Sequence, residues 1–404
     1  MTLSRIGRIS RALVVSMAVV LGMSACGGYT VGFMWVLGTQ YNQITGFKID
    51  DYTGNLTSMV GSPYASGGAN PVSLTVRVGG NFVFVVNKGT GKNDGNIAVF
   101  SVGNDGVLTF QENYFSAGST PVWAAVDNTG NYLYVLDSQS PAYGTVTNGV
   151  TNKNGAITVF QIDGSTGRLQ IVPNQLIKNA QGQQLNYFEV GPSPSMLRVG
   201  GSCVYTLDQG DQTIYPYGVG SSGQLVVEAN STTRTGAQNL TSINVNGNNI
   251  YLTDAGTNQI LPYVAGANCS LSAQTAGAVA NLPQTSQPVY SMTDSKNKFL
   301  YVLNHGNTTN PNAANSSISA YVIQTTGALT PISDPQNPYP VGNGPVCMVE
   351  DPSSQYVYTS NSNDGTVTGK FINQNTGQLS ALPRGSTFPA SGLATCLAVS
   401  GNVD

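Results

Sequence analysis

The stretch NYLYVLD (131–137), followed by NGAITVFQIDGSTGRLQ (154–170), decides the fold. The first run is apolar on both alternating faces, so it reads as a strand covered on two sides. Asn154-Gly155 accepts the positive φ angles of a tight hairpin and leads into a second strand. Gly167-Arg168-Leu169 marks another turn and a third strand. These signals recur at intervals of about 50 residues. The aromatic strand reappears at 33–38, 83–87, 204–208, 250–254, 300–304 and 357–361. Its hairpin partner reappears at 96–100 and 317–321, and the Gly-x-Leu turn at Gly54, Gly106, Gly223, Gly327 and Gly377. The fifth copy, Asn268-Cys269-Ser270-Leu271, lacks the glycine. A fourth strand follows proline at Pro71, Pro121, Pro194, Pro288 and Pro345.

Four short antiparallel strands per unit, in seven units, predict an all-β, seven-bladed β-propeller. Residues 29–36 have the pattern of a blade's second strand, and residues 393–400 that of a first strand. The N- and C-terminal strands are therefore expected to share one blade and close the ring. Charged residues are only 9% of the chain. An average soluble domain has roughly a quarter; blades sandwiched between neighbours leave little surface to charge.

The first 25 residues read as a signal peptide, 26–32 as a short linker and 33–404 as the propeller. Arg5, Arg8 and Arg11 precede an apolar run, 12–23, too short for a resident transmembrane helix. Met23-Ser24-Ala25-Cys26-Gly27 resembles a bacterial lipobox, so Cys26 is the expected lipidation site. The expected location is the cell envelope, in the periplasm or at the outer membrane or cell surface, with the chain held on a membrane by its lipid. An oxidising envelope permits the other cysteines, Cys203, Cys269, Cys347 and Cys396, to pair. Their irregular spacing reads instead as buried small apolar side chains, with Cys347–Cys396 the one bridge that equivalent inner strands suggest.

Several chemistries are excluded. The net charge is −3, with no basic excess, so no nucleic-acid partner is expected. A single histidine precludes a histidine-rich metal site. Without a CxxC pair, zinc and thioredoxin chemistry lack support. GxSxG, HExxH and Walker A motifs are absent. No metal or cofactor is expected.

Alternating strand direction puts the loops between second and third strands at the mouth where the inner strands begin. The long insertions 138–154, 173–193 and 305–316 fall at this mouth or in the connections to it, and long loops on a rigid scaffold often carry binding. Asp137, Asp208, Asp254 and Asn304 end second strands there, joined by His305, Asp211, Trp123 and Tyr290. His305 has the chemistry of a general base for water attacking an ester carbonyl, assisted by Asp254 or Asp208. Trp123 and Tyr290 suit stacking on a sugar ring, with Asp137, Asp211 and Asn304 as hydrogen-bonding partners. The structural alternative is that strand-end Asp and Asn close turns on backbone amides and the aromatics pack between blades.

The unit at 131–170 resembles the seven-bladed lactonase family, best known from bacterial propeller 6-phosphogluconolactonases, and YVTN-type envelope propellers. The resemblance covers nearly the whole mature chain. It implies lactone hydrolysis by histidine, arginine and acidic groups at one channel mouth, often with a histidine soon after the inner-strand proline. The matching residues here are Ser73, Trp123, Met196, Tyr290 and Cys347, none a histidine. The expected function is therefore a lipid-anchored binding or scaffolding propeller with a ligand site at the channel mouth. Its partner would be a carbohydrate, a lactone or an envelope protein. The alternative is a hydrolase that opens a sugar lactone with water.

Overall fold

The computed structural model describes residues 29–178, 181–227, 232–282, 286–306 and 316–401. Cys26 and the signal segment lie outside the described residues. Seven antiparallel sheets form a seven-bladed propeller, and the two ends of the chain share blade 1. In that blade the C-terminal strand Ala394–Gly401 is innermost and pairs with Thr30–Gly38, with Phe33 opposite Ser400 and Trp35 opposite Ala398. The inner strands of blades 2 to 7 are Pro71–Val76, Ser119–Val126, Pro194–Gly200, Leu240–Asn246, Pro288–Thr293 and Pro345–Glu350. Their second strands are Phe82–Asn87, Tyr132–Gln139, Cys203–Asp208, Asn249–Asp254, Phe299–Asn304 and Tyr356–Asn361.

Outer strands depart from the simple repeat. Among the described residues, blade 2 has a continuous one, Leu108–Tyr114. In the other blades two described pieces of outer strand pair with the same neighbour, as Leu56–Ser58 and Tyr64–Ala65 do in blade 1. The break in blade 3 admits a small hairpin, Asn174–Lys178 with Gln184–Leu185. The 138–154 insertion forms another, Val146–Thr147 with Val150–Thr151. Among the described residues, no helix is long and apolar enough to cross a membrane.

One contact repeats around the ring. The Gly-x-Leu glycine of each blade takes positive φ, a conformation that costs an L-residue about 1–2 kcal/mol, and lies against the second strand of the preceding blade. Added methyls would stand 2.4 Å from Phe33 at Gly106, 2.6 Å from Phe82 at Gly167 and 2.3 Å from Tyr132 at Gly223. They would stand 2.5 Å from Phe299 at Gly377 and 2.4 Å from Tyr356 at Gly54. Two residues further along, except in blade 2 where Phe84 has no donor, an aromatic donor reaches the same glycine's carbonyl. Trp35 Nε1 bonds Gly106 O at 3.1 Å, Tyr301 Oη bonds Gly377 O at 3.0 Å and Tyr358 Oη bonds Gly54 O at 2.6 Å. Tyr134 and Tyr251 do the same to Gly223 and Gly327. All these donors are fully buried, so the bond satisfies both groups where water is absent.

The fifth copy keeps the geometry with different chemistry. Cys269 occupies the glycine position at φ +59°, and Cys203 occupies the aromatic position of the preceding blade. The two are joined by a disulfide. A second disulfide, Cys347–Cys396, ties the inner strand of blade 7 to the closing strand of blade 1. The reading of all four cysteines as unpaired buried side chains is thus overturned: the bridge that the inner strands suggest between Cys347 and Cys396 forms, and Cys203 and Cys269, for which no bridge is expected, pair as well. Each pair meets across a blade interface, which spacing along the chain does not reveal. Two disulfides are the chemistry of an oxidising, extracytoplasmic compartment.

The repeated contact sets an order of sensitivity. Gly377→Ala must leave positive φ or push Phe299 aside and is expected to cost at least about 2 kcal/mol. Tyr301→Phe loses one hydrogen bond, about 1 kcal/mol. Denaturant unfolding of the two variants tests this order, and an Ala variant as stable as the parent would contradict the contact.

Candidate functional site at the channel and its mouth

Five second strands end in Asn or Asp, at Asn87, Asp208, Asp254, Asn304 and Asn361, and Asp137 stands at the equivalent position in a blade 3 strand that runs on to Gln139. None exceeds 1% exposure. These residues reach the expected end of each sheet, but their side chains turn into the protein. Asn304 shows the role. It accepts from Asn281 Nδ2 at 2.6 Å and donates to Ser319 Oγ at 2.7 Å and Leu282 O at 3.1 Å. Asp254 accepts from the backbone N–H groups of Gln238, Asn239 and Gly256 and from the Thr257 hydroxyl. Burial opposes its charge, yet these donors together hold its pKa below the usual carboxylate value.

Asp137 and Asp208 occupy the same structural position with fewer donors. Ser116 Oγ donates to Asp137 Oδ1 at 2.6 Å, and Oδ2 has no partner. Burial pushes its pKa up to about 7. Asp208 accepts from Thr206 Oγ1 at 2.6 Å, while Oδ1 has no partner. Burial drives its pKa well upward, and the nearby charge of Asp211 adds to the shift. Asp211 is half-buried and accepts from Tyr215 Oη at 2.8 Å.

His305 is half-buried. Its backbone N–H donates to Gln287 O at 3.0 Å, and its carbonyl accepts from Ser316 Oγ at 2.9 Å. Among the described residues, no hydrogen bond joins its ring to Asp208 or Asp254, whose bonds are those given above. The structure therefore does not connect the three groups that a base-assisted attack by water would use.

It does bring Trp123 and Tyr290 together, through a residue the sequence reading missed. The Arg198 guanidinium carbon lies 4.8 Å from the Trp123 ring centroid and 5.4 Å from that of Tyr290. Arg198 also donates from Nη2 to Tyr290 Oη at 2.9 Å. The three residues come from blades 3, 4 and 6. Blades 4 and 6 are not neighbours, so the contact spans the axial channel. An arginine between two aromatic faces gains cation–π attraction, about 0.5–2 kcal/mol per contact. No carboxylate pairs with Arg198 among the described residues; its Nη1 donates to Leu197 O at 3.3 Å. Asn244, at the same register in blade 5, is 9% exposed, and its Nδ2 is buried without a partner. A signal for Arg198 exists in the repeat. It stands four residues past Pro194, where other copies place Thr75, Ala125, Met292 and Val349.

Two adjoining cavities, of about 420 and 450 Å³, open at the mouth and share Val72 and Lys88. Lys153, Gln139, Gln209 and Thr90 complete a wall of cations, amides and hydroxyls, and no carboxylate lines either cavity. Val122 and Ser195 form part of the lining. Val122 precedes Trp123, and Ser195 lies on the strand that carries Arg198. The lining of these two cavities thus carries two lysines and no acid, on a chain of net charge −3. Among the described residues, no three His, Cys, Asp or Glu side chains group to hold a metal.

The sequence matches the family described as Lactonase, 7-bladed beta-propeller, over residues 29–177 and 264–392. The chain belongs to this family. No curated protein sequence matches it. Among solved structures it is similar to a periplasmic gluconolactonase of Pseudomonas aeruginosa, with 16% identity and a TM-score of 0.67, covering 93% of this chain and 100% of that one. It is also similar to a Bacteroides fragilis protein named provisionally as a 6-phosphogluconolactonase, with 18% identity and a TM-score of 0.69, covering 92% and 98%. A Lactobacillus plantarum protein matches at 17% identity and a TM-score of 0.70, covering 92% and 100%. Such identities establish the shared fold.

The buried acids give a pH signature. Unfolded aspartate releases its proton near pH 3.9, whereas Asp137 holds it to about 7. The folded state therefore binds the extra proton between these values. This contribution to stability falls as pH rises from about 4 to about 7 and is level above. Asp137→Asn, the amide used at Asn87, Asn304 and Asn361, is expected to raise the melting temperature at pH 8 and change it little at pH 4. Thermal unfolding at both values checks this; equal effects would contradict the assignment.

Proposed function

We propose that the protein is an exported binding propeller, tethered to an envelope membrane through lipidated Cys26, that takes a small anionic polyhydroxy ligand such as a sugar acid at its channel mouth. Arg198 carries the reading. A guanidinium held between two rings, without an acid of its own, keeps N–H donors for a carboxylate in a site partly shielded from water. Lys88 and Lys153 at the rim draw an anion toward it. Gln139, Gln209 and Thr90 offer donors and acceptors to hydroxyl groups. The acids that would activate water are buried in turns, which favours binding over hydrolysis.

Lactone hydrolysis is the second reading. The family, and the free donors of Arg198, which suit a developing oxyanion, support it. Water would add to the lactone carbonyl, the ring C–O bond would break, and the ring oxygen would leave as a hydroxyl. The product is a hydroxy acid with the carboxylate that Arg198 suits. His305 would have to act as the base.

Titration calorimetry with gluconate, and proton release with glucono-δ-lactone, separate the two. Gluconate is expected to bind, to weaken at least tenfold in Arg198→Ala, and to do so without lactone turnover above buffer. Turnover lost in His305→Ala would replace the binding reading with the hydrolase. Gluconate binding unchanged in Arg198→Ala would remove the channel site from either.

A further inference from the structure

Every blade interface sets an aromatic ring or a disulfide at this contact except the one between blades 5 and 6. Four neighbouring second strands place Phe33, Phe82, Tyr132 or Phe299 on the next blade's glycine, Tyr356 does so at the seam, and Cys203 forms its disulfide. Between blades 5 and 6 the position holds Asn249, whose Oδ1 would stand 2.4 Å from a methyl on Gly327. A short amide replaces a ring, and a groove of about 660 Å³ opens beside it, on the face opposite the channel mouth.

We infer that this groove is a second binding site, for a neutral oligosaccharide of two or three sugar units. Its volume lies within the range of small-molecule sites, about 300–1,000 Å³. Phe299, Val322 and Ile323 supply apolar surface for the C–H faces of sugar rings. Asn246, Asn249, Asn297 and Gln324 supply amides that both donate and accept. Hydroxyl groups also do both, so an amide rim matches a polyol where a purely acidic or basic rim would not. Among the described residues, no acceptor takes a side-chain N–H of Asn246 or Asn249, although Asn246 is 8% exposed. Gln274, also 8% exposed, donates to Asn249 Oδ1 at 3.3 Å, and its own Oε1 has no partner. Lys298 is the one charged residue lining the groove, so an anion has little to hold it there. The site is distinct from the channel, whose cations select a different ligand.

Calorimetry and saturation-transfer NMR with cellotriose, maltotriose and chitotriose test the inference on the full folded domain. At least one trisaccharide is expected to bind and not to compete with gluconate. Asn249→Phe restores the ring found at the other interfaces. It is expected to melt at or above the parent temperature and to weaken the trisaccharide at least tenfold. Gln324→Ala, an exposed rim change, is expected to weaken it several-fold with unchanged melting. Absence of binding by all three sugars at millimolar concentration, or full binding by a folded Asn249→Phe protein, would overturn the site. Gluconate binding lost without loss of trisaccharide binding would count against the channel reading alone.

Discussion

The ring depends on a glycine turned to positive φ beneath an aromatic strand of the neighbouring blade. Away from the axial channel each blade packs on its two neighbours, so each interface must be dry, close and complete. The Gly-x-Leu turn meets this need because a backbone without Cβ can approach a ring edge, and the buried Tyr or Trp beyond it caps the exposed carbonyl. Tyr358 to Gly54 makes this bond across the seam where the chain's two ends meet. There the Cys347–Cys396 disulfide adds a covalent tie between adjacent inner strands.

The exceptions to this rule are informative. At the interface between blades 4 and 5 the ring and glycine are both replaced by cysteine, and a disulfide occupies the place of the stack. Between blades 5 and 6 the ring becomes Asn249, and the space beside it opens into a groove. Both departures appear in the sequence as irregular copies. Their meaning appears only when Cys203 is aligned two residues before Tyr205 and matched with Cys269 in the missing-glycine position.

Fold and site were unequally legible. The seven aromatic strands and their turns disclose blade number and closure because every copy must satisfy the same interface. The repeat shows that Asp137, Asp208, Asp254 and Asn304 share one position along their strands, but alternation along a strand does not show what covers that end. Neighbouring loops bury them, and turn closure consumes much of their bonding capacity. Trp123 and Tyr290 were recognisable as unusual residues after the inner-strand proline. Their convergence was not, because it needs the curvature of the ring and the arginine from a third blade. The fourth residue past Pro194 departs in charge from the other copies, and that difference is the sequence trace of the Arg198–Trp123–Tyr290 cluster.

On the proposed reading, a channel that sets the Arg198 guanidinium between Trp123 and Tyr290 with no acid paired to it suits holding an anion more than activating water. A crystal structure of the protein soaked in gluconate tests this most directly. The account requires the carboxylate within hydrogen-bonding distance of the Arg198 guanidinium, with Trp123 and Tyr290 flanking it. Gluconate bound on the opposite face, or a channel that stays unoccupied at saturating ligand, would contradict it.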